Sequence, residues 1–284
     1  MRSIRSDLRS RRFLGQLAKE TLAAVGLLGA LAGLVDALFT DAFDGHGLPV
    51  AAAIGLVAVI YGLTKAWPRP IEHSYSAPNT AIRIVKGDLL AESGHIVIGT
   101  CDTFDTKVPN VISPQSLQGQ ALQRLYGGDV ELLDQALEAA LVAEVPTGHI
   151  AKAGKTQQYA IGTVATMVQA SRKLFFLAYT EMNAQNEARG TSDRVWRSLL
   201  CLWAAVSRHC NGQSIAVPVI GGGQARIAQI LPAQDAIRFI AFSFMLTSRH
   251  EKICDELRIV VQPEVYERLD RLELQAFLDS LEMS

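Results

Sequence analysis

The sequence predicts an α/β domain, with a mixed sheet flanked by helices, preceded by a two-helix transmembrane hairpin. Two long apolar runs stand close together near the N-terminus, at Leu22 to Phe39 and at Leu48 to Ala66. Beyond Pro70, short segments rich in Ile and Val alternate with segments of helical periodicity. Three of the strand-like segments end in glycine and polar residues, as expected where an open α/β sheet forms a ligand crevice.

Composition agrees with a chain divided between two environments. Charged residues make up 19% of the 284 positions, and the mean hydropathy of +0.18 is high for a wholly soluble protein. Basic and acidic residues nearly balance at 27 and 28, so nucleic acid is not an expected partner. Cys101, Cys201, Cys210 and Cys254 are scattered without CxxC spacing. No metal site is expected, and a reducing compartment is the simpler reading.

The first apolar run contains no charge from Leu22 to Val35, and its extension to Phe39 gives a helix of about 27 Å, close to the thickness of a bilayer core. The second is interrupted only near its end by Lys65, with Tyr61 and Trp67 where interfacial aromatics belong. Arg2, Arg5, Arg9, Arg11, Arg12 and Lys19 precede the first run, Lys65 and Arg69 follow the second, and the connection between them has no basic residue. Both termini are therefore expected in the cytoplasm, with the hairpin in the lipid of the inner membrane.

Two alternatives compete with this anchor. Ser10 to Leu14 is loosely similar to a twin-arginine signal, but a signal peptide leaves the second run unexplained and no small-x-small cleavage site is clear. A buried soluble hairpin would show the polar stripe that both runs lack. Gly29 and Gly33 form a GxxxG pair with Asp36 on the same face. That face either packs helix against helix or reflects the abundance of glycine in membrane helices, with Asp36 at the outer interface. The chain is thus divided into a basic cytoplasmic N-terminus (1–20), the hairpin (21–67), a linker (68–80) and a nucleotide-binding domain (81–284).

Within that domain, strands are expected at Ala81 to Val85, His95 to Gly99, Gln158 to Val168, Lys173 to Ala178, Ser214 to Val219 and Arg258 to Val261. Helices are expected at Ser116 to Tyr126, Val130 to Val142, Ser192 to Cys210 and Ala233 to Thr247. The first strand ends in Gly87-Asp88-Leu89, the second in Gly99 to Asp105, and a late one in Ile220-Gly221-Gly222-Gly223-Gln224-Ala225-Arg226. A triple glycine before a helix lets backbone N–H groups approach a diphosphate, and Arg226 adds a charged clamp. Asp88 can accept the exocyclic amine of adenine, and Asp102 and Asp105 are expected at ribose hydroxyls. Each feature also has a plainer explanation: a tight turn, a Gly-Asp turn dipeptide, or an aspartate capping the next segment.

Taken in order, these segments are similar to the ligand segments of macro domains, over about Ala81 to Val261. The resemblance implies that Asp88 contacts adenine and that Gly221, Gly222 and Gly223 embrace the diphosphate, with Tyr179 and Thr180 bordering the crevice. It also brings Leu89, Cys101, Phe104, Ile220 and Gln224 to the ligand. The asparagine-containing strand end and first glycine-rich loop of many hydrolytic macro domains are absent. In their place Ser113, Gln115, Ser116, Gln118 and Gln120 offer neutral hydrogen-bonding groups, although Ser113-Pro114 equally suits a helix start with serine as its cap. No catalytic residue is expected: His95, His149, His209 and His250 are dispersed, and neither HExxH nor a serine elbow is present.

A macro-like domain after a two-span hairpin resembles the membrane-macro effectors of Thoeris anti-phage systems. That resemblance implies a signal derived from ADP-ribose, expected as its histidine conjugate and made from NAD by a partner TIR-domain enzyme. It further implies a homo-oligomeric receptor whose hairpins assemble or rearrange to damage the membrane, with no cofactor. The rival is a membrane-tethered ADP-ribosyl hydrolase or phosphoesterase in which Asp102 or Asp105 activates water. A third possibility is a scaffold that docks another protein.

Overall fold

A computed structural model describes residues 11–39, 45–66, 70–221 and 231–282. The chain separates into two compact units, Met1–Arg69 and Pro70–Ser284.

The first unit holds helices α1 (Arg11–Leu38) and α2 (Gly47–Ala66), both long and apolar enough to cross a membrane. Leu22, Leu27, Leu34, Leu48, Leu56 and Ile60 all stand exposed, a surface that is unfavourable in water. Helix α1 starts well before its apolar run because the residues from Phe13 to Thr21 include good helix formers and no proline. The two helices meet where α2 has Gly62. A Cβ there would collide with Thr21 Oγ1 and crowd Leu17, one turn apart on α1. By contrast, nothing lies within 4 Å of a Cβ built on Gly29 or Gly33, so the GxxxG pair is not what packs α1 on α2.

The second unit is the α/β domain. Its elements run β1 (Ile71–Tyr75), β2 (Thr80–Lys86), a short 3-10 turn (Leu89–Ala91), β3 (His95–Cys101), α3 (Leu117–Leu125) and α4 (Val130–Leu141). There follow β4 (Gly148–His149), β5 (Gln157–Gln158), β6 (Val164–Gln169), β7 (Arg172–Met182), β8 (Ala188–Arg189) and α5 (Ser192–His209). The order closes with β9 (Ile215–Pro218), α6 (Ala233–Ser248), β10 (Glu256–Val261), α7 (Pro263–Tyr266) and α8 (Arg271–Ser280). The main sheet has the order β1-β2-β10-β9-β3-β7-β6, with β8 also on β7. Strands β2, β10, β9, β3 and β7 are parallel, while β1 and β6 join antiparallel at the edges. The sheet is mixed, as the sequence predicts.

The central strands bury both faces, so adjacent residues feed opposite cores. Val97, Phe175, Leu177, Val217 and Ile259 pack with α5, α6 and α8 on one side. Ile96, Ile98, Leu174, Phe176 and Val260 pack with α3 and α4 on the other.

The main departures from the sequence reading, besides the short β4, β8 and α7, are three. Ile71–Tyr75, inside the stretch read as a linker, is a strand: Ile71 and Tyr75 are buried, and the Tyr75 hydroxyl donates to the Leu278 carbonyl at 2.8 Å. Glu72 and Ser74 are polar because they face outward, while the partly buried His73 shares the inward face and meets Asp279 of α8 at 2.8 Å. The single strand expected at Gln158 to Val168 is broken into β5 and β6 at Gly162, whose φ of 101° bends the chain where a side chain would strike Cys201. Helix α8 was not anticipated, although its Leu274 and Leu278 are buried one turn apart.

Burying one large apolar side chain is worth about 1.5–3 kcal/mol. A fragment beginning at Ala81 should therefore be less stable than one beginning at Ile71 by at least about 3 kcal/mol in urea denaturation. Equal midpoints for the two fragments would show that β1 is dispensable.

Candidate functional site

The five parallel strands bring their carboxyl ends to one edge of the sheet, where the loops after β2, β3, β7 and β9 gather. At the end of β2 the Gly87 amide donates to the Val261 carbonyl at 3.0 Å, holding that strand against β10. Asp88 follows, and one carboxylate oxygen accepts the Leu90 amide at 3.0 Å, capping the turn that buries Leu89. The other accepts from Arg124 of α3 at 2.6 Å. The Asp88 side chain is about half exposed, at 49%, so it faces outward at the edge with lone pairs still open to a donor.

The segment after β3 is folded inward. Its pairing with β7 shifts register between Thr100 and Cys101, and residues 101–106 are all buried. Phe104 takes a φ of 49°, in the left-handed region, and sets its buried ring edge-on to Tyr159, with 5.6 Å between centroids. Asp102 ties this segment to β7 and β5. Its amide donates to the Thr180 carbonyl at 2.8 Å, and its carboxylate accepts the Met182 amide at 2.9 Å and Gln158 Nε2 at 2.8 Å. Asp105 is clamped harder, accepting from Thr103 Oγ1 at 2.5 Å, Lys152 Nζ at 2.5 Å and the Lys155 amide at 2.7 Å. The side chains of Asp105 and Lys152 are both fully buried.

The Asp102 and Asp105 carboxylates, expected at ribose hydroxyls, are engaged by protein donors in the structure. A buried carboxylate needs its acceptor sites filled, and here protein donors fill them. Their work is to hold the 101–106 segment in shape.

Ser116 is the cap of α3, accepting the Gly119 amide at 3.0 Å while donating to the Ser113 carbonyl at 2.6 Å. The capping role considered for Ser113 therefore falls three residues later, and Ser113 Oγ donates instead to Gln115 at 2.7 Å. Gln120 reaches back to the Gln115 carbonyl at 2.8 Å. Gln118 is buried, donating to the Asp105 carbonyl and accepting from Thr100 Oγ1 at 3.2 Å. It seats the start of α3 against the end of β3. After β9, Ile220 belongs to the core and Gly221 has a φ of 98°, which a residue with a side chain rarely adopts. Gly222, Gly223, Gln224 and Arg226 lie outside the described residues.

Burial governs the electrostatics here. It pushes the Tyr179 phenol up to about 12, with the Cys101 thiol adding to the effect, and it raises Cys101 itself despite a contact with Thr103 Oγ1 at 3.3 Å. Both groups are protonated at neutral pH. Asp102 is also raised by burial, partly offset by its bonds to Met182 and Gln158. The described edge therefore collects Gly87 to Leu89, Cys101 to Asp105, Tyr179, Thr180, Ile220 and Gly221, with the start of α3 beside them. Sequence reasoning missed Arg124, Lys152, Lys155 and Gln158. In sequence Lys152 and Lys155 read as solvent-facing loop residues, and the one local signal is Gly154, whose φ of 85° lets the loop close on Asp105.

A mixed sheet with helices on both faces and its loops gathered at the carboxyl edge belongs to the α/β class that binds ligands in that crevice. The family described as "Thoeris protein ThsA, Macro domain" matches residues 82–262, more than half of the chain, and the chain belongs to that family. Its two apolar N-terminal helices fit a macro protein of this type with an N-terminal hairpin. Among solved structures, it is similar to an Oceanobacillus iheyensis macrodomain variant with ADPR, at 11% identity and a TM-score of 0.48, covering 74% of this chain and 96% of that one. The same macrodomain with ADP gives 10% identity and 0.48, covering 75% and 95%. A tomato leucine aminopeptidase variant gives 13% and 0.42, covering 75% of this chain and 37% of the other. No curated protein matches.

Two predictions follow from the buried carboxylates. Asp105→Ala leaves the Lys152 ammonium buried without its partner and should cost about 3–5 kcal/mol; Asp105→Leu combined with Lys152→Met should recover most of that loss in chemical denaturation. Because burial raises the Asp102 carboxyl, the folded state holds that proton more tightly than the unfolded chain. Stability from this group is full at low pH and falls as pH rises above about 4. Asp102→Asn should gain on the wild type between pH 4 and pH 7, and a difference that does not change with pH would refute the assignment.

Proposed function

We propose that this chain is a membrane-anchored sensor of anti-phage defence whose macro domain binds an ADP-ribose-derived nucleotide. The specific signal in this reading is a histidine conjugate of ADP-ribose made by a partner TIR-domain enzyme. Binding then makes the hairpins of several copies assemble or rearrange, which disrupts the inner membrane. The observation that carries the proposal is the family match over residues 82–262, on a domain whose half-exposed Asp88 stands at the carboxyl end of β2.

The roles are assigned accordingly. Asp88 accepts the adenine amine beside Leu89, while Gly221, Gly222 and Gly223 with Gln224 and Arg226 receive the diphosphate next to Ile220. Cys101, Phe104, Tyr179 and Thr180 wall the crevice, with Ser113, Ser116 and Gln118 at its α3 side. Asp102 and Asp105 act through the 101–106 segment that they fasten. Protonated thiol and phenol groups, and a carboxylate already saturated by Lys152 and Thr103, favour binding over hydrolysis.

In this reading residues 1–20 are a basic cytoplasmic segment, 21–67 span the membrane, and the macro domain lies in the cytoplasm. The exposed apolar surface supports it, since Leu22, Leu27, Leu34, Leu48, Leu56 and Ile60 stand exposed among the described residues. Gly29 and Gly33, open on the isolated hairpin, are the contact offered to a second copy.

The full chain in detergent should bind ADP-ribose or its histidine conjugate in calorimetry, and chromatography should return the compound unchanged. A cleaved product would make the protein a hydrolase. Asp88→Asn keeps an acceptor for Leu90 yet removes the charge, and should weaken binding by about 1.5–3 kcal/mol. Gly222→Glu should abolish it by steric block and charge repulsion. Gly29→Ile together with Gly33→Ile should suppress ligand-dependent cross-linking between copies while leaving affinity intact; undiminished cross-linking would exclude that face.

A further inference from the structure

The opposite edge of the sheet, where the strands begin, carries a cleft that the nucleotide reading does not use. It encloses about 190 Å³ and is lined chiefly by His95, Arg172, Lys173, His209, Asn211 and Gln213. Sites for drug-sized ligands run from about 300 to 1,000 Å³, so this cleft suits one compact group.

The cleft is built from rigid parts. Ala170 at a φ of 52° turns the chain from β6 into β7, placing Arg172 and Lys173 at the start of β7 among the residues that line the cleft. Helix α5 ends at His209 with Cys210 as its cap, and Asn211 at a φ of 48° swings the chain back toward β9. The Lys173 amide donates to His95 Nδ1 at 2.9 Å. That bond makes His95 Nδ1 an acceptor, so a neutral ring carries its proton on Nε2.

Two cations, Arg172 and Lys173, line the cleft, with Arg208 on the neighbouring last turn of α5, and none of the three has an acidic partner among the described residues. Lys173 Nζ donates to the His209 carbonyl at 2.5 Å, Arg172 to the Glu92 carbonyl at 2.6 Å, and Arg208 to the Ala204 carbonyl at 3.1 Å. The nearby Glu92 carboxylate is already taken by Arg258 at 2.8 Å. A helix C-terminus attracts a cation, which accounts for Lys173 and Arg208 at the end of α5 but not for Arg172. The local field is felt by both imidazoles. His95 is lowered by burial and then by Lys173, and His209 by burial, Lys173 and Arg208, so both are neutral at pH 7.

We propose that this cleft is a second ligand site that binds a phosphate-class anion, paired with Arg172 and Lys173 and approached by the neutral donors of Asn211 and Gln213. A guanidinium supplies a planar fork and an ammonium a point charge, the combination that holds tetrahedral oxyanions. The same chemistry is offered by free phosphate and by the headgroup of an anionic phospholipid.

The test uses the full chain and follows hydrogen exchange of the peptides covering 168–173 and 207–213. In neutral detergent, inorganic phosphate should protect both peptides and raise Tm relative to chloride at equal ionic strength. In nanodiscs, phosphatidylglycerol should protect them relative to phosphatidylcholine alone if the headgroup is the ligand. Protection by phosphate only assigns the site to a free anion; protection in neither setting, or equal protection by chloride, overturns the proposal. Lys173→Gln should weaken phosphate binding about tenfold or more, as expected for one charged hydrogen bond, without altering the Tm shift produced by ADP-ribose. Should that variant fold poorly, Arg172→Gln, at the other cation of the cleft lining, must show a loss in the same direction, and an unchanged affinity there also refutes the site.

Discussion

The carboxyl edge of the domain depends on an ion pair that solvent does not reach. Asp105 and Lys152 meet at 2.5 Å with neither side chain exposed. Such a pair adds little net stability, because removing two charges from water costs about as much as their attraction returns. What it contributes is discrimination. Any arrangement of residues 101–106 that separates the two leaves a buried charge alone, so the segment has one low-energy shape. Thr103, Gln118 and the Lys155 amide complete the coordination of Asp105, and Asp102 extends the same logic to β7 through Met182 and Thr180. The left-handed Phe104 is a strained residue held in place by this surrounding network.

Much of the fold was legible because the physics that shapes it is local. Val97, Phe175 and Val217 mark central strands by their β-branched or aromatic character, and α5 is marked by the spacing of Val195, Leu199, Leu202 and Val206 on one face. Strand β1 was hidden because only Ile71 and Tyr75 enter the core, and an edge strand with polar residues between them reads as a linker. The break at Gly162 was hidden because its cause is Cys201, far away in sequence. Legibility failed wherever a contact across the fold, rather than a periodicity along it, decided the structure.

The candidate site divides along the same line. Position was legible: residues following parallel strands gather at one edge by topology alone, and Asp88, Thr180 and Gly221 are there. Role was less so. An aspartate in a polar loop has the same one-letter signature whether it turns to a ligand or to a buried lysine, and Lys152 lies 47 residues from Asp105. Burial separates the cases. Asp88 keeps about half its side chain in solvent, whereas Asp102 and Asp105 keep almost none, so only the first can exchange water for a ligand without breaking the protein's own bonds.

The two edges of the sheet share their strands. β3 begins at His95 beside the basic cleft and ends at Cys101 at the crevice; β7 begins at Arg172 and Lys173 and passes Tyr179 and Thr180. At about 3.3 Å per residue, the seven residues of β3 hold the two edges roughly 20 Å apart. Direct contact between ligands at the two edges is therefore excluded. Influence between them has to pass through strands whose side chains are packed on both faces, and a close-packed interior shifts as a unit rather than deforming gradually. Occupancy of the strand origins and of the strand ends would therefore be independent events unless the β3–β7 pair has two discrete registers. The shift between Thr100 and Cys101 is the one place along that pair where the ladder is already interrupted, and it lies at the crevice end.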